Sequence, residues 1–282
     1  MTRGIVFGAG FIGRKIAGDF DYDLSRARVS LQSRNVELER ALDSYPEVVI
    51  NAIGKTHGEG VQSIDYCETH KEETRESNTF VPWLIARECA KRGIYFVHLG
   101  SGCIYQGDNH GEGFSEEDMP NFYGPQFYAM TKIDAERLLT RDFNSPILQV
   151  RIRMPIDDKT DERNLIDKLV GYNRVIDIKN SMTTIPFMLK ALRQLIARRR
   201  EGIYNVVNEG AISPYEIMEM YKEIVNPRHR FERMPLEELD KTTLAKRSNC
   251  KLSVDKLKRE GIDVPEIHES VRECLTRYKS QR

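Results

Sequence analysis

A glycine-rich turn near the N-terminus constrains the fold of this 282-residue chain more than any other feature. The short apolar segment 4–7 runs directly into Gly8-Ala9-Gly10-Phe11-Ile12-Gly13, a G-x-G-x-x-G pattern followed by helix-forming residues. In such a turn the first glycine permits a tight bend, the second lets the backbone approach a pyrophosphate, and the third lets the helix pack on the strand. The pattern predicts a dinucleotide site, and the alternative is a glycine-rich connection without a ligand.

The remainder of the first half alternates short β-rich segments with helical ones. This order is typical of a parallel sheet with helices on both faces. The predicted strands are 4–7, 28–32, 48–52, 94–99 and 147–152, and the predicted helices are 11–20, 36–44, 80–92 and 128–141. After Pro155 the alternation loosens into predicted helices at 163–172, 187–200, 214–225 and 236–246, with a short strand at 204–207.

These patterns predict an α/β fold, a Rossmann-type doubly wound parallel sheet with a smaller C-terminal α/β substrate-binding lobe. The sheet and the dinucleotide site are assigned to residues 1–152 and the lobe to residues 153–282. The boundary is soft, because some C-terminal segments are free to return to the main sheet.

Charge and cysteine usage exclude several classes of protein. Lys plus Arg and Asp plus Glu both number 43, so the net charge is zero and a general nucleic-acid binder is not expected. No apolar run is long enough for a membrane span, and the N-terminus lacks the pattern of a signal peptide. The five cysteines include no C-x-x-C pair, which argues against a disulfide framework or a metal site and favours a cytoplasmic location.

The end of the predicted second strand bears on which dinucleotide is bound. An NAD enzyme usually places an acidic residue there to bind the ribose hydroxyls, whereas this chain has Ser33 and Arg34. A guanidinium at this position pairs well with a 2′-phosphate, so the sequence favours NADP over NAD. The alternative is that Arg34 is an ordinary solvated arginine.

A candidate acid and its partner lie on the helix predicted at 128–141. Tyr128 and Lys132 form a Y-x-x-x-K pattern, whose spacing places both side chains on one helix face. A nearby ammonium lowers the pKa of a tyrosine toward a value useful for general acid catalysis. Ser101 follows the strand predicted at 94–99, and strand carboxyl ends line the ligand crevice of such a sheet. Ser101 is therefore placed to polarise a carbonyl group that Tyr128 protonates.

Together these features resemble the extended short-chain dehydrogenase/reductases. Within them the chain resembles the nucleotide-4-dehydrorhamnose reductases, and most closely the bifunctional 3,5-epimerase/4-reductases that complete nucleotide-rhamnose synthesis. The resemblance spans nearly the whole chain, and the long segments that carry it are 51–54, 65–71, 100–105, 120–122, 128–132, 151–156, 163–168, 180–183 and 247–249.

The resemblance implies a role for each matched residue. Ser101, Tyr128 and Lys132 match the reductase triad, in which Lys132 also holds the nicotinamide ribose. Cys103 and Lys168 match the pair assigned to epimerisation, whereas related monofunctional reductases carry a tyrosine in place of Cys103. Ser101 is a mild departure, since the common bifunctional pattern has threonine there. Without the resemblance, a cysteine at a strand end would be interpreted as packing and Lys168 as a solvated side chain.

The resemblance also extends the sets of predicted ligand contacts. The residues predicted to hold NADPH are Gly8, Gly10, Phe11, Ile12, Gly13, Ser33, Arg34, Asn51, Ala52, Tyr128, Lys132, Arg153 and Pro155. The residues predicted to contact the nucleotide sugar or its diphosphate are Ser101, Cys103, Asn164, Lys168 and Arg247.

The implied substrate is a nucleoside-diphosphate 4-keto-6-deoxy-glucose, with UDP favoured over dTDP by the resemblance alone. Three alternatives remain open: a 4-reductase without epimerase activity, a non-catalytic NADP-binding regulatory subunit, and chemistry like that of GDP-fucose synthase. The last pairs a cysteine with a histidine, where this chain has Lys168. The expected pathway neighbour is an upstream 4,6-dehydratase, and neither nucleic acid nor a membrane is expected as a partner. The oligomeric state stays open, a homodimer being one arrangement.

Overall fold

A computed structural model describes residues 3–32 and 34–280 of the chain. The chain divides into two compact units. The first comprises the described residues of Met1–Ile104 together with Phe122–Val150 and Leu195–Tyr204. The second comprises Tyr105–Asn121, Arg151–Gln194 and the described residues of Asn205–Arg282. Each unit therefore contains segments from more than one part of the sequence.

The elements follow the predicted alternation in the first half and are more numerous than predicted in the second. The strands are β1 Gly4–Phe7, β2 Asp23–Ser25, β3 Val48–Asn51, β4 Tyr95–Ser101, β5 Ile147–Ile152, β6 Arg174–Ile176, β7 Gly202–Asn205 and β8 Glu232–Met234. The helices are α1 Phe11–Phe20, α2 Val36–Leu42, α3 Asp65–Thr69, α4 Lys71–Arg75, α5 Val81–Lys91, α6 Phe127–Arg141, α7 Leu165–Val170, α8 Ile185–Ala197, α9 Pro214–Ile224, α10 Leu236–Thr242, α11 Asp255–Arg259 and α12 Ile267–Lys279. A π-helical turn, Glu76–Phe80, joins α4 to α5.

The main sheet has six strands in the order β2-β1-β3-β4-β5-β7. The pairings of β1 with β2, β1 with β3 and β3 with β4 are all parallel. Strand β2 lies on one side of β1, whereas β3 and the later strands lie on the other side. The direction in which successive strands are added to the sheet therefore reverses between β1 and β3. The predicted doubly wound Rossmann-type sheet is confirmed, and its ligand crevice is expected at this reversal, beyond the strand carboxyl ends.

The prediction of a second strand at 28–32 is wrong. The strand that pairs with β1 is Asp23–Ser25, with Phe7 opposite Ser25. Because this edge of β1 is already taken, the later segment forms turns instead. Side chains hold those turns, since the N–H of Ser30 donates to Asn35 Oδ1 and the N–H of Leu31 donates to Glu76 Oε1.

Each unit has an apolar core of its own. In the first unit, side chains from the buried strands β1, β3 and β4 pack against α2, α5 and α6, with Phe7, Val49 and Phe96 among them. In the second unit, α7, α9 and α12 pack around Ile217 and Leu275. A two-stranded parallel sheet, β6 with β8, lies in the second unit and was not predicted. Two separate cores support treating the units as distinct structural parts.

Candidate active site

The glycine turn after β1 has the geometry that its sequence predicts. Gly8 has a φ of +107°, and a Cβ there would lie 2.6 Å from the carbonyl carbon of Ala52. A Cβ at Gly13 would lie 1.8 Å from the carbonyl oxygen of Gly8, so helix α1 packs directly on the turn. Both positions therefore require glycine for the fold itself.

Gly10 differs, because a Cβ at this position would meet no described atom within 4 Å. Gly10 is the N-cap of α1 and makes no side-chain hydrogen bond to the N–H groups of the first turn, which contains Phe11 and Ile12. The Arg14 guanidinium donates to the carbonyl oxygen of Ala9 in the same turn. A helix N-terminus with room in front of it fits the pyrophosphate of a dinucleotide.

The corrected second strand brings two further arginines to the carboxyl edge of the sheet. Arg26 and Arg28 are exposed and follow Ser25, whose strand partner Phe7 precedes the glycine turn. Arg34 is exposed but lies beyond the turns that follow β2, and Ser33 lies outside the described residues. Sequence reasoning missed Arg26 and Arg28 because it placed the strand too late.

The end of β3 lies beside the glycine turn. The N–H of Ala52 donates to the carbonyl of Phe7 over 2.7 Å, so the two strand ends are held together at the sheet reversal. Asn51 is fully buried, and its Oδ1 accepts a hydrogen bond from the N–H of Ile53. Its Nδ2 lies 3.0 Å from Nδ1 of His98, the residue opposite on β4. These contacts shape the backbone under the expected cofactor site.

Ser101 and Cys103 lie together where β4 ends. The Oγ of Ser101 accepts a hydrogen bond from the N–H of Cys103 over 3.1 Å. Ser101 is buried, whereas Cys103 is partly exposed and its thiol is free. The residue predicted to polarise the ketone and the residue predicted for epimerisation are therefore fixed by one turn.

Tyr128 and Lys132 lie in the first two turns of α6, and both side chains are buried. The Nζ of Lys132 donates to the carbonyl of Leu99 on β4 over 3.2 Å, which anchors the amine near the strand end that carries Ser101. A Cβ at Gly54 would lie 3.5 Å from the same nitrogen. Burial lowers the pKa of Lys132 from 10.5 to about 8, although the nearby thiols of Cys103 and Cys67 act in the opposite direction.

Asn78, in the π-helical turn, is a residue that sequence reasoning missed. Its Oδ1 accepts from the N–H of Lys55, and its Nδ2 donates to the carbonyl of Lys55 and to Oγ1 of Thr131. Because Lys55 follows β3 and Thr131 lies on α6, Asn78 ties the segment after β3 to the helix that carries Tyr128. A polar residue within a helical pattern gives no sequence signal for such a role, since most face solvent.

Lys168 lies on α7 in the second unit and is partly buried. Burial lowers its pKa from 10.5 to about 8, and the positive charge of Arg163 lowers it further, while Glu162 and Asp161 oppose the change. A lysine in such surroundings can exchange a proton near neutral pH, which a solvated lysine does poorly.

Asn164 caps α7 and is completely buried. Its Oδ1 accepts from the N–H groups of Asp157 and Ile166, and its Nδ2 donates to the carbonyls of Asp157 and Lys159. All four hydrogen-bonding positions of the side-chain amide are thus used by the chain. The structure therefore gives Asn164 a part in shaping the loop before Lys168, and its contact with the sugar stays a prediction.

The remaining predicted contacts also lie in the second unit. Arg153 is buried, and its guanidinium donates to Ser181, Asn180 and Ser248. The carbonyl of Pro155 accepts from the N–H of Leu165. Nη1 of Arg247, a partly exposed residue, donates to the carbonyl of Ala245 over 3.0 Å. The ligand contacts of Arg153, Pro155 and Arg247 stay predictions.

Among residues 3–32 and 34–280, no three or more His, Cys, Asp and Glu side chains are grouped so that they could hold a metal ion. Within the same residues, no helix has both the length and the apolar character needed to cross a membrane.

Three features together define an extended short-chain dehydrogenase/reductase. They are the doubly wound sheet, the glycine turn after its first strand and the Tyr128–Lys132 pair on α6. The family model described as the RmlD substrate binding domain matches residues 10–172. The chain belongs to this family, which confirms the predicted kinship with the dehydrorhamnose reductases.

Three relatives show how far the similarity extends. The bifunctional dTDP-4-dehydrorhamnose 3,5-epimerase/dTDP-4-dehydrorhamnose reductase of Arabidopsis thaliana is 39% identical over 232 residues, which cover 80% of this chain and 75% of that protein. A trifunctional UDP-glucose 4,6-dehydratase/UDP-4-keto-6-deoxy-D-glucose 3,5-epimerase/UDP-4-keto-L-rhamnose-reductase of the same plant is 36% identical over 263 residues. That alignment covers 91% of this chain, but this chain spans only 38% of the length of that relative.

A solved structure gives the third comparison. The crystal structure of the UDP-rhamnose synthase from Acanthamoeba polyphaga mimivirus superposes with a TM-score of 0.87 at 32% sequence identity. The match covers 98% of this chain and 99% of that chain. The similarity thus includes both structural units.

Proposed function

We propose that this protein converts a nucleoside-diphosphate 4-keto-6-deoxy-glucose to a nucleoside-diphosphate L-rhamnose by 3,5-epimerisation and NADPH-dependent reduction of the 4-ketone. The observation that carries the proposal is the turn after β4. There Ser101 of the reductase triad accepts a hydrogen bond from Cys103, the residue predicted to distinguish bifunctional enzymes from simple reductases. The names of the plant relatives support both activities, and the viral relative is named a UDP-rhamnose synthase.

The cofactor proposal follows from the glycine turn. The open space at Gly10, the uncapped N-terminus of α1 and the exposed Arg26 and Arg28 fit a pyrophosphate and a 2′-phosphate. Residues 1–152 are proposed as the NADP-binding part and residues 153–282 as the substrate-binding part. When bound, NADPH supplies a hydride for C4 of the sugar.

For the reduction, each residue of the triad has a distinct task. Tyr128 gives its proton to the C4 oxygen as charge develops there. Lys132, when charged, favours release of that proton by stabilising the tyrosinate. The hydroxyl of Ser101 donates a hydrogen bond to the same oxygen and stabilises its negative charge. The buried setting of Tyr128 and Lys132 strengthens these interactions, because water screens them less.

For the epimerisation, the substrate itself supplies the acidity. The protons at C3 and C5 lie next to the C4 ketone, so a base can remove each one to give an enolate. An acid then returns a proton to the opposite face and inverts the carbon. Cys103 and Lys168 are proposed as these two groups. The lowered pKa of Lys168, about 8, suits an amine that gains and loses protons near neutral pH.

The nucleotide and the pathway neighbour are proposed from the relatives. Two of the three carry UDP in their names, so UDP is preferred to dTDP. The trifunctional plant protein includes a 4,6-dehydratase activity. A 4,6-dehydratase is therefore proposed to supply the keto sugar to this chain.

The test is turnover of the full chain with UDP-4-keto-6-deoxy-glucose and NADPH, followed by loss of NADPH absorbance and by analysis of the sugar product. We expect UDP-L-rhamnose, with the dTDP substrate used less efficiently. A product that is reduced at C4 but not inverted at C3 and C5 would indicate a 4-reductase without epimerase activity. Tight NADPH binding without turnover of either substrate would instead favour a regulatory subunit.

A further inference from the structure

The start of α6 is not capped by the residue that precedes it. Helix α6 begins at Phe127, and the N–H of Met130 donates to the carbonyl of Gln126 over 3.2 Å. The N–H groups of the three residues before Met130 have no acceptor within the helix. The side chain of Gln126, the N-cap residue, makes no capping hydrogen bond. Tyr128, the proposed acid, is one of these three residues.

Glu68 supplies a cap from a distant part of the sequence. Its Oε1 accepts a hydrogen bond from the N–H of Phe127 over 2.8 Å, although the two residues lie 59 positions apart. A carboxylate that accepts from the first turn of a helix makes a charge-assisted bond, which is stronger than a neutral one. Phe127 is buried, and a buried N–H without an acceptor is costly. Glu68 therefore fixes the residue directly before Tyr128.

The ring of Phe127 is held from the next helix. Nζ of Lys71 lies 5.5 Å from the ring centroid, and the guanidinium carbon of Arg75 lies 5.2 Å from it. Both cations belong to α4, which follows α3 after His70, whose φ of −121° and ψ of 58° are not helical. The two helices on either side of His70 thus contact the backbone and the ring of one residue.

The second turn of α6 is fastened by the π-helical turn that follows α4. Nδ2 of Asn78 donates to Oγ1 of Thr131 over 3.2 Å, and Oγ1 of Thr79 donates to the carbonyl of Thr131 over 2.8 Å. All three of these side chains are buried. The segment 68–79 therefore holds α6 at Phe127 and at Thr131, on either side of Tyr128 in the sequence.

We propose that Glu68 is a positioning residue for Tyr128. By fixing the N–H of Phe127, its carboxylate holds the first turn of α6, and with it the tyrosine side chain, in the arrangement used for reduction. The assignment rests on the proposed function, since this arrangement matters only if Tyr128 gives a proton to a bound ketone. Cys103 and Lys168, the groups proposed for epimerisation, do not lie on α6, so Glu68 acts on the reduction alone.

The first test needs no turnover. An N–H at the start of a helix normally exchanges rapidly with solvent, because it has no intrahelical acceptor. Hydrogen exchange of the native full chain, followed by NMR, should instead show a protected Phe127 amide. In Glu68→Ala its exchange should be faster by about tenfold or more, and Glu68→Gln should retain most of the protection, since its amide oxygen still accepts. Rapid exchange of this amide in the native chain would overturn the inference.

The second test separates positioning from simple support of the fold. In Glu68→Ala, kcat for reduction should fall by about tenfold or more, because a small displacement of a catalytic group is costly. KM for the sugar should not change, and neither should exchange of the C3 and C5 protons measured in D2O without NADPH. Glu68→Gln should recover most of kcat. Glu72→Gln, which alters an exposed carboxylate on α4, is the matched control and should behave as the native chain.

Three outcomes of these experiments would count against the proposal in different ways. A folded Glu68→Ala protein with native kcat would overturn the positioning role. Equal losses of reduction and of proton exchange would also overturn it, because they would indicate a general loss of structure. If the native chain has a protected Phe127 amide but shows no turnover, the proposed function and the positioning role both fail, whereas the cap on α6 stands.

Discussion

The N–H of Cys103 donates a hydrogen bond to the Oγ of Ser101 over 3.1 Å. This bond joins the residue predicted to polarise the ketone to the residue predicted to act on its neighbouring carbons. Because both belong to one turn after β4, the two proposed steps depend on the same short piece of backbone. The two proposed steps and the cofactor site can nevertheless be perturbed separately.

Removal of the tyrosine hydroxyl should abolish reduction selectively. In Tyr128→Phe we expect kcat for reduction to fall by about 10²–10⁴, because the general acid is lost. NADPH binding and exchange of the sugar protons should persist. Tyr123→Phe is the matched control, since Tyr123 is 48% exposed and lies outside α6. Comparable losses in the two variants would contradict the assignment of Tyr128.

The lowered pKa of Lys132 predicts an alkaline limit to reduction. Burial brings this pKa to about 8, so the ammonium loses its proton as the pH rises through that value rather than through 10.5. The rate of reduction at saturating NADPH should therefore decline above about pH 8. Rate profiles measured with saturating sugar and NADPH check this, and a rate that stays level up to the ordinary lysine value would contradict it.

Two glycines of the turn should respond differently to alanine. Gly13→Ala should destabilise the fold by about 1–3 kcal/mol or more, because its Cβ would meet the carbonyl of Gly8. Gly10→Ala should cost less than about 1 kcal/mol, since its Cβ enters open space. The same Cβ should weaken NADPH binding roughly tenfold or more. Thermal unfolding and NADPH titration measure the two effects. An unchanged NADPH affinity in Gly10→Ala would contradict the assignment of the glycine turn to the cofactor site.

Recognition of the 2′-phosphate should depend on the arginines that follow the true second strand. Combined replacement of Arg26 and Arg28 by alanine should raise KM for NADPH about tenfold or more and leave KM for NADH nearly unchanged. Arg40→Ala, an exposed arginine on α2, is the control. A loss confined to Arg34→Ala would support the assignment made from sequence and contradict this one.

Local patterns in the sequence were sufficient to predict the glycine turn, the Tyr128–Lys132 spacing and most helices and strands of the first half. The second strand was misplaced because Asp23–Ser25 is too short to show a pattern, and only its pairing with Phe7 reveals it. Which segment forms this strand depends on its pairing with a segment distant in sequence, and local propensity carries no information about that pairing.

Prediction of the candidate active site from the sequence is limited in the same way. The spacing of Tyr128 and Lys132 is visible in the sequence, but the bonds of Asn78 to Lys55 and Thr131 exist only in the folded chain. Nor does the sequence show that the amide of Asn164 is fully used by its own loop. Hydrogen-bond saturation depends on which backbone groups the fold brings together.

The central claim, that one chain both epimerises and reduces, is tested most directly by turnover in heavy water. UDP-4-keto-6-deoxy-glucose and NADPH are supplied in D2O, and deuterium in the product is located by NMR. We predict label at C3 and C5 of an L-rhamnose product from the native chain. In Cys103→Ala that label should be lost, while reduction of a substrate already inverted at both carbons continues. An unlabelled native product, or full labelling and L-rhamnose formation by Cys103→Ala, would contradict the account.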